Sequence, residues 1–167
     1  MKYRVGFLVL SLLLVSFGSG IARGDDTAAE PLSITVYKSP TCGCCKQWIA
    51  HLQENGFNVL AVDSDDMSAV KAQFEVPEEL RSCHTARING YTVEGHVPAE
   101  DILAMLENAP EAKGLSVPGM PVGSPGMEVG DRVDPYEVIQ FSSEGNEVVA
   151  SYGEPSAVDV DGEQGAQ

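Results

Sequence analysis

Basic side chains are scarce in this chain. Ten lysines and arginines stand against 25 aspartates and glutamates over 167 residues, a net charge of −15. Such a surface repels nucleic acid and anionic lipid, so neither is expected as a partner. Long apolar runs are missing too. The longest, Val5 to Phe17, contains Ser11 and Ser16 and is short for a membrane span. No internal repeat is visible. Cysteine is limited to four residues, and none follows the apolar run, which argues against a lipidated anchor at this end.

What the first residues do contain is a targeting layout. Lys2 and Arg4 precede the apolar run, and small residues lead to Ala22-Arg23-Gly24 before Asp25. Residues 1–24 therefore read as a secretory signal peptide, with an uncleaved anchor as the competing reading. Removing it takes three of the ten basic residues and no acid, leaving seven against 25 and a net charge of −18. The remaining 143 residues suffice for one domain with a core. No membrane insertion is expected after cleavage. Export makes disulfides the default fate of an even cysteine count.

Residues 25–32 read as a flexible linker. Ser33–Tyr37 has the β-branched and aromatic content of a strand. A helix is expected from Cys44 to Asn55, with Cys45, Trp48, Ile49 and Leu52 on one face, closed by Asn55-Gly56. Phe57–Val62 reads as a second strand. Asp65 or Asp66 caps a second helix with Met67, Val70 and Phe74 on its apolar face, and Pro77 stops it. Thr85–Ile88 and Tyr91–Val97 read as strands joined by an Asn89-Gly90 turn. Pro98 opens a third helix, with Glu100 and Asp101 in its first turn and Ile102, Leu103 and Leu106 on its apolar face. The order β-α-β-α-β-β-α predicts an α/β, thioredoxin-like core. Val117–Gly130, rich in proline and glycine and bearing Met120 and Met127, reads as a long loop. Val138–Phe141 and Glu147–Tyr152 form a terminal hairpin. The domain thus spans 33–152, followed by an acidic, apolar-poor tail at 153–167 that reads as disordered.

Cys42-Gly43-Cys44-Cys45 places three thiols in four residues at a strand-to-helix junction. Cys42 and Cys45 have the C-x-x-C spacing of a redox motif. A helix N-terminus stabilises thiolate, which serves disulfide exchange and soft-metal binding equally. In the inferred topology Cys83 sits just before the third strand, in the loop that passes beside the C-x-x-C turn. It is expected to face the other three sulfurs across 38 residues from Cys45. Two disulfides, Cys42–Cys45 and Cys44–Cys83, remain an open reading, whereas a bond between adjacent Cys44 and Cys45 would be strained. Zinc matches four thiolates in count, but adjacent side chains at a helix start diverge. Sulfurs bridging several Cu(I) ions suit a dense thiolate patch, and thiolate and thioether donors select Cu(I). Copper is therefore the expected ion, with Cys42, Cys44, Cys45 and Cys83 as its ligands.

His84 is a candidate ligand or a donor to one, set against strand alternation that would turn it away. His51 is expected on the solvated surface, and His96 to be a structural histidine far from the cysteines. Pro-Gly-Met occurs twice, at 118–120 and 125–127, and either methionine could offer a thioether or simply pin the loop. Trp48 is expected in the core. The chain reads as a metal-binding protein with redox capacity more than as an enzyme. The alternatives are a thiol–disulfide oxidoreductase, with Cys42 as nucleophile and Cys45 as resolving thiol, and a disulfide-stapled binding module.

Cys42-Gly43-Cys44-Cys45-Lys46-Gln47-Trp48, Ser82-Cys83-His84-Thr85-Ala86, Glu94-Gly95-His96-Val97-Pro98 and the two Pro-Gly-Met segments together carry a resemblance. The chain resembles the CopG-type periplasmic copper-resistance proteins, a thioredoxin-like metal-binding family long held to be of unknown function. The resemblance covers roughly residues 33–152. It implies a thioredoxin fold, copper held by Cys42, Cys44, Cys45 and Cys83, a periplasmic location, and work beside other periplasmic copper-handling proteins. One departure from ordinary thioredoxins is local: Cys83-His84-Thr85 lacks the cis-proline usual before the third strand, which weakens a general oxidoreductase role.

Overall fold

The computed structural model describes residues 32–153. Residues 1–31, which hold the expected signal peptide and all of the expected linker but Leu32, lie outside the described residues, as does the expected tail beyond Gly153. Within them the elements run β1 (Leu32–Lys38), α1 (Gly43–Glu54), β2 (Phe57–Asp63), α2 (Met67–Gln73), a 3₁₀ turn (Glu78–Leu80), β3 (Thr85–Ile88), β4 (Tyr91–Glu94), α3 (Ala99–Asn108), β5 (Gly114–Ser116), β6 (Tyr136–Phe141) and β7 (Asn146–Tyr152). The described residues therefore form a mixed α/β structure with one seven-stranded sheet, ordered β2-β1-β3-β4-β5-β6-β7. No helix among the described residues is long and apolar enough to cross a membrane.

Strand alternation separates the two faces of the sheet. Ile34 and Val36 join Trp48 and Leu52 of α1 in the core, with Ala86 and Ile88 of β3 in the same cluster. Tyr37 points the other way, its ring 5.2 Å from that of Phe74 at the end of α2. β1 pairs parallel with β2 and antiparallel with β3, so the β1–α1 and α2–β3 connections meet at one end of the sheet. That end holds all four cysteines.

Several boundaries differ from those expected, for identifiable reasons. β4 stops at Glu94, because Gly95 turns the chain with φ +73°. A Cβ on Gly95 would lie 2.5 Å from both Ser82 Cβ and the Val117 carbonyl oxygen. β5, only three residues long, pairs parallel with β4 and antiparallel with β6, which extends the terminal hairpin into the main sheet. Such a short segment shows no periodicity to read. In α2 the buried residue is Lys71, with Met67, Val70 and Phe74 only half-buried. In α3 Ala99, Ile102 and Met105 face the core while Leu103 is exposed.

Candidate metal centre

Cys42 caps α1: its backbone is extended and its sulfur accepts the Cys45 N–H at 3.3 Å. The first helical turn then carries Cys44 and Cys45 past the same point. Cys42 and Cys45 are joined as a disulfide, while Cys44 and Cys83 are free. Cys42 Sγ lies 3.5 Å from Cys44 Sγ. Across the β1–α1 turn, Cys83 Sγ stands 3.9 Å from Cys44 Sγ and 3.7 Å from Cys45 Sγ. All four sulfurs fall within 4.8 Å of one another. The adjacent side chains of Cys44 and Cys45 therefore converge on the Cys83 sulfur.

Two imidazoles also approach that sulfur. His84 Nδ1 is 3.2 Å from Cys83 Sγ and His96 Nε2 is 3.1 Å from it. Cys83, His84 and His96 form a second group whose donor atoms share a 4.8 Å span. His96, with partners on both of its ring nitrogens, thus lies at the cluster and not far along from the cysteines as the sequence suggests. The hairpin explains why. Ile88 pairs with Tyr91 and Thr85 with Glu94, and the same count carried outward sets Cys83 opposite His96. The Pro125 carbonyl, 2.8 Å from His96 Nδ1, fixes the ring's tautomer. The proton sits on Nδ1, and the Nε2 lone pair faces the sulfur.

His84 is fully buried on the α1 side of the sheet, its ring 4.3 Å from that of Trp48 and 5.0 Å from that of His96. Its Nε2 has no hydrogen-bond partner among the described residues. Burial first, then the neighbouring His96 and Lys71, hold its pKa well below the ordinary value, so the ring is neutral. Burial also lowers His96, against the opposing pull of the Pro125 carbonyl and Glu128. Neutral imidazoles can donate lone pairs to a metal.

The Cys83 thiol runs opposite to the thiolate patch that the helix N-terminus predicts. Burial, then the neighbouring Cys44, pushes its pKa up to about 12. Without a cation the Cys83 sulfur is protonated, and a metal that binds it must displace that proton.

The proline- and glycine-rich loop packs against both sides of the cluster. Gly119 bridges to Ser82 beside Cys83, and its N–H donates to the Arg81 carbonyl at 3.2 Å. Gly126, at φ +84°, lies against the start of α1. A Cβ there would meet Trp48 N at 2.6 Å and Cys44 O at 3.0 Å. Met120 is exposed and Met127 half-buried on these two segments. Trp48 is fully buried, as its spacing predicts, and donates to the Val97 carbonyl at 2.8 Å. His51 is not a solvated surface residue. Its Nε2 accepts the Ala99 N–H at 3.1 Å, tying α1 to the first turn of α3, and burial lowers its pKa.

The donor chemistry of this cluster, four sulfurs and two neutral imidazoles, fits a soft or borderline metal. Residues 80–127 match the family model DUF411, described as a protein of unknown function. No curated protein matches the chain. Among solved structures, form 2 of the copper resistance protein CopG matches at 54% identity with a TM-score of 0.72. That match covers 74% of this chain and 100% of the other. Form 1 matches at 53% identity with a TM-score of 0.71, covering 75% and 100%. With identity of this level over the whole of both relatives, the chain belongs to the CopG copper-resistance family.

Proposed function

We propose that the protein binds copper as Cu(I), in a multinuclear thiolate cluster, as part of copper resistance in the periplasm. The observation that carries this reading is the position of the Cys83 sulfur. It has two cysteine sulfurs and two imidazole nitrogens within 3.1–3.9 Å, so it is placed to share ions with both sets of donors. Cys42, Cys44, Cys45, Cys83 and His84 are the proposed ligands, and His96 joins them on the distance to Cys83. A thiolate bridges ions more readily than an imidazole, which supports several coppers over one zinc. The proposed core is thioredoxin-like, supported by the strand order β2-β1-β3-β4 with α1 following β1. Export rests on the charged and apolar start of the chain. Other periplasmic copper-handling proteins are the proposed partners.

The Cys42–Cys45 disulfide favours a second reading, thiol–disulfide exchange. Opening that bond takes two electrons and two protons from an external dithiol, which is itself oxidised to a disulfide. The same reduction would free two more sulfurs for copper, so the two chemistries share one site. They separate on the reduced protein, handled anaerobically and titrated with Cu(I) while bound metal and reactive thiols are counted. Several coppers per chain with all four thiols protected is the expected result. No copper uptake, together with rapid reduction of a small disulfide substrate, would replace the copper reading with the enzymatic one.

A further inference from the structure

Beneath the donor cluster, on the α2 face of the sheet, lies a buried carboxylate that coordinates nothing in the reading above. Glu94, the last residue of β4, is fully buried. Its Oε1 accepts the Ser82 N–H at 2.6 Å, and its Oε2 accepts the Thr85 hydroxyl at 2.6 Å. Ser82 and Thr85 are the residues on either side of Cys83-His84. One carboxylate therefore grips both ends of the dipeptide that supplies the central sulfur and the buried imidazole.

A carboxylate is left ionised in the interior only if a cation faces it. Lys71, itself buried, supplies one. Its Nζ donates to Glu94 Oε1 at 2.5 Å and to the Thr85 hydroxyl at 3.1 Å. The main chain adds two further ties, Gly95 N–H to the His84 carbonyl at 3.0 Å and Val117 N–H to the Glu94 carbonyl at 3.0 Å. The second leads into the loop that carries Pro125 and hence to His96. No cis peptide bond constrains the Cys83–Thr85 turn. Charge-assisted hydrogen bonds, rather than ring geometry, fix its course.

We propose that Glu94, held by Lys71, is a positioning residue that clamps the Cys83-His84 dipeptide and so sets the sulfur at the centre of the copper site. This rests on the copper reading for its purpose, but the clamp itself can be read without metal.

The test compares two double variants of the full mature chain. Lys71→Met with Glu94→Leu removes both charges, keeps the site apolar, and leaves the Ser82 N–H and Thr85 hydroxyl without the carboxylate. Buried ion pairs exchanged for apolar pairs commonly leave a protein folded. Lys71→Met with Glu94→Gln removes the same charges but keeps a side chain that can accept from Ser82 and donate to Thr85. In reduced, copper-free protein, the first variant should raise Cys83 alkylation and amide exchange over residues 82–85 by about tenfold, the scale of a lost charged hydrogen bond. The second should restore values close to the parent's. With Cu(I), the first should bind more weakly and the second should recover. Parent-like alkylation and exchange in the Met/Leu variant would overturn the clamp, whatever copper does. Increased alkylation in that variant, in a protein whose parent takes up no Cu(I), would keep the clamp and reject the copper reading. Thr85→Val, which cuts one arm alone, is the second measurement if the Met/Leu pair fails to fold. Unchanged exchange over residues 82–85 in Thr85→Val would likewise overturn the proposal.

Discussion

Cys42, Cys44 and Cys45 lie within four residues at the start of one helix, whereas Cys83, His84 and His96 come from two strand ends and depend on a third segment carrying Pro125. The first group is local. Helix geometry alone brings its sulfurs together, and Cys42 caps the helix that holds the others. The second group is assembled at long range, by hairpin register, a buried ion pair and a loop carbonyl. Metal or disulfide chemistry at the first group can survive loosening of the rest of the fold. The second group exists only while the sheet is intact. Cys83 belongs to both, so its loss falls on the two groups at once.

Cys83→Ser should have the largest effect. It removes the one sulfur shared by the thiols and the imidazoles, and Cu(I) affinity should fall by more than about 100-fold. Copper stoichiometry by mass spectrometry reads it, and a variant that loads as the parent does would dissolve the distinction between the groups. Next comes the loop. Gly126→Val puts a branched side chain at φ +84° against the backbone of α1, and should cost roughly 2–3 kcal/mol in denaturant unfolding. Gly119→Ala, at φ +69° with open space around it, should cost only about 1 kcal/mol. Equal costs would mean that the approach of Gly126 to the helix is not close in solution.

His96→Phe acts on the second group alone. The ring volume stays while the lone pair facing Cys83 goes. Cu(I) affinity should drop by about tenfold with the thiol count of the reduced protein unchanged. Undiminished affinity would reduce the imidazole side to packing. The smallest effect is expected outside both groups. His51→Ala removes the acceptor for the Ala99 N–H and should lower stability by about 1 kcal/mol at pH 7.5. The folded pKa of His51 is depressed, so the unfolded chain binds the proton more readily. The stability it lends is present above the unfolded value of about 6.5 and is lost as pH falls through the folded one. The gap between parent and variant should therefore narrow from pH 7.5 toward pH 5. A gap that widens on acidification would mean that His51 does not accept that hydrogen bond.

The same contrast decides what could be read from the sequence. The thiol group was legible because its spacing is local, and Cys83 followed from the order of elements. His96 was legible in principle. Asn89-Gly90 marks the turn, and six residues counted out on either side lead to Cys83 and His96. Distance along the strand alone, without the register counted across the turn, puts His96 far from the cysteines. Lys71 and Glu94 were not legible. A lysine in a short amphipathic helix looks like surface charge, and its acidic partner is 23 residues away. Nor does spacing reveal the raised Cys83 pKa, since burial opposes the helix effect and is set by the whole fold. The three residues of β5 carry too little pattern to announce themselves.

Trp48 is the sole tryptophan of the chain, it is sealed from water, and its ring rests against His84. That arrangement gives the molecule an optical gauge of its own. Emission from a dry indole is blue-shifted and comes from one place, so any event that turns or ligates the imidazole beside it will register as a change in brightness without a label. Filling of the site could then be followed in real time, on the unmodified protein, from a single fluorophore.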